Sequence, residues 1–259
     1  ERFESFDATT RFAPYATSLR MSDIGYTNSS QTSLNVVYDS LGAYVESLTR
    51  AIETPHAPYD AIGVRVGDEY RQLNGNILQI ENEFYSPVRP KQIAERGEKP
   101  TVALARRGVR YVEVRSLDVN PFARSGVDHE QLAFLELFMM FCLLHRSPVI
   151  TGDEKTAIES NNAAVAVEGR APGLRLRRGA SAVELREWGL EVLDEMELLC
   201  DYFPQGHREA LHAMRARFVD PESTPSARML RECASEGCRS SLTVSSFPGP
   251  GKKRFRHSA

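Results

Sequence analysis

Hydrophobic and polar positions along the chain follow two different periods. Between residues 32 and 53 the apolar residues lie three or four positions apart, which predicts an amphipathic helix. Residues 61–85 alternate between apolar and polar side chains, and a shorter extended run covers residues 109–117. This alternation predicts β-strands separated by turns. The first half of the chain is therefore expected to hold most of the strands and one long helix.

The pattern becomes helical after residue 117. Strands that come first and helices that follow favour an α+β fold over alternating βαβ units. The stretch from residue 235 onward consists largely of Ser, Gly, Pro and basic residues without an apolar period, which predicts a disordered basic tail. The predicted helices cover residues 129–145, 154–167, 182–202, 207–218 and 225–233.

Two predicted strands carry charged side chains on one face. In residues 79–85, alternate positions place Glu81, Glu83 and Tyr85 on the same side. Two carboxylates in this arrangement repel each other unless a cation or a basic partner lies over them. The alternative is an exposed face that water solvates, and the pattern alone leaves both interpretations open.

The second charged face belongs to residues 111–117, where Glu113 and Arg115 point the same way. A surface ion pair of this kind contributes little to stability. The same two groups also suit ATP-dependent acyl activation, since a carboxylate can bind Mg²⁺ and an arginine can bind a phosphoryl oxygen. The pattern does not decide between these interpretations.

The composition narrows the class of protein. A hydrophobic fraction of 41% and a charged fraction of 26% exclude collagen-like, disulfide-scaffold and fully disordered chains. The formal net charge of −3 provides no basic field for nucleic acid. No phosphate-binding glycine loop, dinucleotide fingerprint or nucleophile elbow is present. The chain contains four cysteines but no C-x-x-C pair, which argues against a zinc site and fits reduced thiols in a cytoplasmic protein.

Neither a membrane span nor a signal peptide is expected from the sequence. The most apolar run, residues 132–144, is too short to cross a bilayer, and the N-terminus is polar and charged. The first residue is Glu1 rather than Met, which indicates a processed chain or a fragment. We therefore expect a cytoplasmic protein with neither nucleic acid nor membrane as a partner.

Several segments resemble bacterial-type glutamate–cysteine ligase, also called γ-glutamylcysteine synthetase. The longest are PYATSLRMSDIGYTN at residues 14–28, LQIENEFYSPVRPK at residues 78–91 and YVEVRSLDVNPF at residues 111–122. VEGRAPGL at residues 167–174 and SARMLREC at residues 226–233 continue the resemblance more weakly. Several long motifs in one order make this resemblance more specific than any single motif.

The resemblance implies an activity. The family uses ATP to phosphorylate the γ-carboxylate of L-glutamate, and the amine of L-cysteine then displaces phosphate, which is the first step of glutathione biosynthesis. It implies Mg²⁺ as the cofactor, with ATP as a co-substrate. It also implies a fold that is part of a glutamine-synthetase-like antiparallel sheet funnel with a helical C-terminal portion.

The matched motifs also imply roles for individual residues. Glu113 in VEVR corresponds to a Mg²⁺ ligand, and Arg115 in the same motif corresponds to the catalytic arginine that holds the transferring phosphoryl group. The cysteine-binding residues implied are Arg20 in SLR, Tyr26 in GYTN and Tyr85 in NEFY, with Glu81 and Glu83 as possible lining residues.

The chain departs from the family pattern in length and at its end. The family's enzyme is about twice as long, so residues 1–234 are expected to be the C-terminal portion of a single catalytic domain, and residues 235–259 a disordered tail. The isolated chain is then expected to be inactive without the missing N-terminal half. Two alternatives remain: a catalytically inactive relic or regulatory module that retains the fold, or a carboxylate–amine ligase with another acceptor amine.

Overall fold

The computed structural model of the chain describes residues 3–25 and 34–236, which fall into two compact units. Of the described residues, the helical unit comprises 3–18, 118–145 and 164–236, and the mixed unit comprises 19–25, 34–117 and 146–163. In chain order the strands and α-helices are β1 (Glu4–Ser5), β2 (Arg11–Phe12), α1 (Leu41–Glu53), α2 (Ala57–Asp60), β3 (Arg65–Val66), β4 (Glu69–Tyr70), β5 (Val88–Lys91), α3 (Pro100–Arg107), β6 (Tyr111–Val114), α4 (His129–Leu144), α5 (Gly152–Glu168), β7 (Arg175–Arg178), β8 (Ser181–Glu184), α6 (Leu185–Glu197), α7 (Gln205–Val219) and α8 (Pro225–Glu236).

The strands of the described residues form four antiparallel pairs: β1–β2, β3–β4, β5–β6 and β7–β8. In the β5–β6 pair, Val88 lies opposite Val114 and Lys91 lies opposite Tyr111. Short antiparallel sheets and helices together confirm the α+β class that the order of elements predicts. None of the helices in the described part of the chain is both long enough and apolar enough to span a membrane.

The long helix predicted from residue 32 begins later, at Leu41. The side chain of Ser40 accepts a hydrogen bond from the backbone N–H of Ala43, and this cap ends the extended segment before it. The apolar spacing before the cap is nevertheless used in part, because Leu34 packs against the same core as Leu48. The helical start in the prediction was therefore wrong, although the buried face was right.

Residues 61–85 contain much less strand than the alternation predicts. Only β3 and β4 form there, and Gly67 lies in the turn between them with a φ of 64°. Residues Glu81–Glu83 form a turn of 3₁₀ helix instead of the predicted strand. The prediction of a strand over residues 79–85 is therefore wrong.

In the second half of the chain, the main difference lies before α6. A helix was predicted over residues 182–202, but the β7–β8 hairpin occupies its first three positions and α6 ends at Glu197. The hairpin turns at Gly179, whose φ of 61° suits a residue without a Cβ. The helix predicted over residues 225–233 continues to Glu236, and the rest of the predicted tail lies outside the described residues.

Each unit has its own hydrophobic core. In the mixed unit, Tyr44 and Leu48 of α1 pack with Leu78 and Leu104. In the helical unit, Leu137 of α4, Met196 of α6 and Leu211 of α7 are fully buried together. Helix α3 packs against α1 and also contacts β5, and the β5–β6 pair carries most of the charged residues discussed next.

Candidate functional site

The β5–β6 pair places a carboxylate directly opposite an arginine. Glu113 is the cross-strand partner of Arg89, and its Oε2 accepts hydrogen bonds from Arg89 Nε at 3.1 Å and Nη2 at 2.9 Å. The Arg89 side chain is buried and also donates to the carbonyl oxygen of Asn82. Charge-assisted bonds of this kind are stronger than neutral ones. The Glu113 side chain is thus held by the strand pairing.

Two further cations approach the same carboxylate. Lys91 Nζ lies 3.5 Å from Glu113 Oε2, and Arg115 Nε lies 3.8 Å from Glu113 Oε1. The strand pattern predicts this proximity of Glu113 and Arg115. Three cations around one carboxylate leave a local excess of positive charge, and we call these four residues the β5–β6 charge cluster. Such an excess favours an anionic ligand such as a phosphate group.

Arg20 belongs to a turn of 3₁₀ helix, Leu19–Met21, and reaches the end of β6. Its Nη2 donates hydrogen bonds to the carbonyl oxygens of Arg115 at 2.9 Å and Leu117 at 3.0 Å. A Cβ on Gly25 would come within 2.1 Å of the Arg20 carbonyl oxygen, so the chain can fold back this closely only with glycine there. The structure therefore brings Arg20 to the backbone beside Arg115.

The two carboxylates at residues 81 and 83 each accept a hydrogen bond within the mixed unit. Glu81 is buried and accepts a hydrogen bond of 2.7 Å from the Thr101 hydroxyl. Glu83 accepts a hydrogen bond of 2.8 Å from the backbone N–H of Gln79. Because the 3₁₀ turn replaces the predicted strand, Glu81 and Glu83 do not form the strand face that the alternation predicts.

Tyr85 lines a cavity of about 600 Å³ in the mixed unit. Segments 34–39, 84–88 and 150–162 line this cavity, and neither Glu113 nor Arg115 does. Tyr38, also in the wall, is hydrogen-bonded to Ser86, and burial raises the pKa of the Tyr38 hydroxyl. The structure thus places Tyr85 in a cavity that the β5–β6 charge cluster does not line. Tyr26 lies outside the described residues.

Two members of the charge cluster, Arg89 and Lys91, were not singled out from the sequence. Both residues lie in VRPK, residues 88–91, two positions apart and therefore on the same side of the strand. The signal that could have identified them is their charge, which is opposite to that of Glu113 on the paired strand. The sequence separation of 24 residues between Arg89 and Glu113 hides this match from any local pattern.

The described residues do not by themselves fit a Mg²⁺ site. Mg²⁺ needs several oxygen ligands in near-octahedral geometry. Within residues 3–25 and 34–236, no group of three acidic, histidine or cysteine side chains could hold a metal ion. Glu113 is instead close to Arg89, Lys91 and Arg115. We therefore derive no chemical step through a metal from these residues.

Comparison with known proteins first places the chain among ligases. The family described as glutamate-cysteine ligase matches residues 1–165. The glutamate–cysteine ligase of Shewanella oneidensis is 46% identical over 239 residues, which cover 91% of this chain and 46% of that protein. The corresponding protein of Shewanella amazonensis is 49% identical over 238 residues, covering 91% of this chain and 45% of that protein.

Solved structures agree with this placement. The crystal structure of glutamate–cysteine ligase from Francisella tularensis in complex with AMP matches 97% of this chain and 52% of its own chain, with 36% identity and a TM-score of 0.90. A bifunctional glutathione synthetase from Pasteurella multocida matches 88% of this chain, with 25% identity and a TM-score of 0.66. The chain belongs to the glutamate-cysteine ligase family, which confirms the resemblance seen in its motifs. It spans about half the length of the curated relatives that it matches.

Proposed function

We propose that this chain is part of an enzyme that ligates the γ-carboxylate of L-glutamate to the amine of L-cysteine at the expense of ATP. The reaction passes through a γ-glutamyl phosphate and opens glutathione biosynthesis. The observation that carries the proposal is the β5–β6 charge cluster, which lies on a family motif and has an excess of positive charge. Family membership supports the assignment of the two amino-acid substrates.

Arg115 is the proposed catalytic residue. Its guanidinium would contact the phosphoryl group during transfer and stabilise the charge that develops on its oxygens. A guanidinium keeps its proton at any physiological pH and presents a planar fork to phosphate. Glu113 Oε1 lies 3.8 Å from Arg115 Nε, and this carboxylate helps to orient the guanidinium. Because catalysis of this kind depends on positioning and electrostatics, the anchoring of Glu113 by Arg89 matters for the reaction.

Glu113 is also the proposed metal-ligating residue. It would contribute one oxygen to Mg²⁺, and the remaining ligands would come from outside the described residues. Bound Mg²⁺ would neutralise charge on the ATP phosphates. This role requires Glu113 to share its carboxylate between the cation and its present basic partners.

Arg20, Tyr26 and Tyr85 are the proposed cysteine-binding residues. Arg20 is suited to a carboxylate, because its guanidinium is fixed by two backbone carbonyl oxygens next to Arg115. Tyr85 borders a cavity and is partly exposed, so its hydroxyl can face a ligand. Glu81 and Glu83 are less suited to contact substrate, since they accept hydrogen bonds from Thr101 and Gln79.

The chain is proposed to need the rest of the ligase for activity. Curated relatives are about twice as long, and the described residues contain only two-stranded sheets. In the complete protein these strands would belong to a larger antiparallel funnel, with residues 1–234 as part of one catalytic domain. The isolated chain should therefore turn over ATP slowly or not at all.

A hybrid ligase tests the proposal. In it, this chain replaces the segment that it matches in the Shewanella oneidensis enzyme. The hybrid should form γ-glutamylcysteine and ADP, detected by mass spectrometry, only when glutamate, cysteine and ATP are all present. A folded hybrid that binds nucleotide but forms no product would instead support a non-catalytic module. Turnover by the isolated chain that depends on both amino acids would contradict the need for the rest of the ligase.

Substitution of Arg115 separates the phosphoryl role from cysteine binding. In the hybrid, Arg115→Ala should lower kcat by about 10²- to 10³-fold, with a much smaller change in the KM for cysteine. Arg50→Ala is the matched control, because Arg50 forms an exposed pair with Glu46 on α1. An unchanged kcat in Arg115→Ala would remove the phosphoryl role.

A further inference from the structure

Helix α4 is apolar on nearly its whole circumference. Its sequence, HEQLAFLELFMMFCLL, contains only a few polar residues, and these do not form a continuous face. One side packs in the core of the helical unit, where Leu137 is fully buried and Phe134 and Phe141 are partly buried against it. A helix that is hydrophobic all round is normally buried all round. The opposite side of α4 therefore requires an explanation.

That opposite side is exposed. Leu132 is 54% exposed and Leu143 is 75% exposed. Positions 132, 139 and 143 lie within about 40° of one another on a helix of 3.6 residues per turn. We call Leu132, Met139 and Leu143 the α4 stripe. Glu136 lies along the same side, is 64% exposed and is hydrogen-bonded to His207 of α7, so it is the one charged residue between Leu132 and Leu143 on this side.

The length of the relatives indicates what covers the stripe. The Francisella tularensis ligase contains almost the whole of this chain at a TM-score of 0.90, yet this chain accounts for only 52% of that protein. In that protein, the fold that matches this chain is part of a polypeptide about twice as long. The apolar composition of α4 is that of an internal helix in such a protein.

We propose that the α4 stripe is an internal interface of the complete ligase, covered by the part of the polypeptide that lies outside this chain. The occupant is a protein segment with an apolar surface, since the stripe offers methyl and thioether groups and few charges. The proposal rests on the family membership and not on the proposed reaction. It can therefore fail or hold independently of catalysis.

The test compares one double variant in two contexts. Leu132→Glu combined with Leu143→Glu should shift the Tm of the isolated chain by less than about 2 °C, because both leucines are exposed there. In the hybrid ligase the same pair should lower the Tm by about 5 °C or more, since two carboxylates would then be buried. Leu73→Glu is the control: Leu73 is 69% exposed, belongs to the mixed unit and is not part of α4, and the substitution should be neutral in both contexts.

A second variant gives a readout that does not depend on tolerating a charge. In a Cys142→Ser background, which removes the exposed neighbouring thiol, the thiol of Leu143→Cys should react with a maleimide at least about tenfold more slowly in the hybrid than in the isolated chain, as measured on the peptide that carries it. Equal labelling rates, or an equal Tm shift in the two contexts, would overturn the proposal. So would a dimeric isolated chain, measured by sedimentation, that the double glutamate variant converts to monomer, since a second copy would then cover the stripe.

Discussion

Arg89 and Glu113 face each other across the β5–β6 pair and are joined by two hydrogen bonds that end on one carboxylate oxygen. The arginine side chain is almost fully buried, whereas the glutamate is 35% exposed. The buried member is therefore the one that depends more on the pair. This relationship makes Glu113 a structural residue as well as a proposed functional one.

Glu113→Gln should destabilise the isolated chain by about 1–3 kcal/mol, because the buried Arg89 guanidinium loses its charged acceptor. This loss of stability is smaller than that for a fully buried ion pair, since water reaches part of Glu113. Urea unfolding followed by circular dichroism measures the change. Glu46→Gln removes the partner of the exposed Arg50 and should cost about 0.5 kcal/mol or less. Equal losses in the two variants would show that the Arg89 pair contributes nothing beyond a surface pair.

The helices and the charged face of β6 could be predicted because their signals are local. In α4 and α7 the apolar spacing continues over about four turns, and the structure has a helix in both places. Leu137 of α4 and Leu211 of α7 are buried, as expected for residues on the apolar side of a helix. Glu113 and Arg115 are two residues apart in an extended segment, so their shared side follows from the pleat alone.

The pairing of Arg89 with Glu113 and the turn at Glu81 could not be predicted in the same way. Strand pairing depends on which distant segment lies alongside, and no local period encodes that choice. Alternation at residues 78–84 is equally compatible with a turn of 3₁₀ helix that buries Leu78 and Phe84 in one core. The donor to Glu81 comes from Thr101, on α3. These features are decided by tertiary packing.

Thr101→Val should destabilise the chain by about 1–3 kcal/mol, because it removes a buried donor to the Glu81 carboxylate while keeping the side-chain shape. Thr54→Val is the control, since the Thr54 hydroxyl donates to a carbonyl oxygen at the exposed end of α1. A double-mutant cycle with Glu81→Gln should give a coupling of about 0.5–3 kcal/mol. A coupling of zero would mean that this hydrogen bond does not stabilise the fold.

The pair between Glu98 and Arg107 should make stability depend on acid pH. Hydrogen bonds from Arg107 and from the backbone N–H of Glu95 lower the pKa of Glu98 from 4.5 to about 2. Because the folded pKa is the lower one, the stabilisation is present above pH 4.5 and is lost as the pH falls towards 2. The unsubstituted chain should have a higher Tm than Glu98→Gln above pH 4.5, and this difference should become smaller as the pH falls from 4.5 towards 2. A titration midpoint near 4.5 for Glu98, observed by NMR, would contradict it.

Gly189→Ala should destabilise the helical unit although alanine favours helix. A Cβ at Gly189 would lie 2.2 Å from the ring of Phe218, which packs against the core. Overpacking of this kind costs about 1–3 kcal/mol, which exceeds the gain in helix propensity of about 1 kcal/mol. Gly206→Ala in α7 is the matched control, because its nearest neighbour would be His129 Cε1 at an ordinary 3.7 Å. Thermal unfolding should show a lower Tm for Gly189→Ala and an equal or higher Tm for Gly206→Ala. If both variants were stabilised alike, α6 and α7 would not pack as closely at Gly189 as the structure shows.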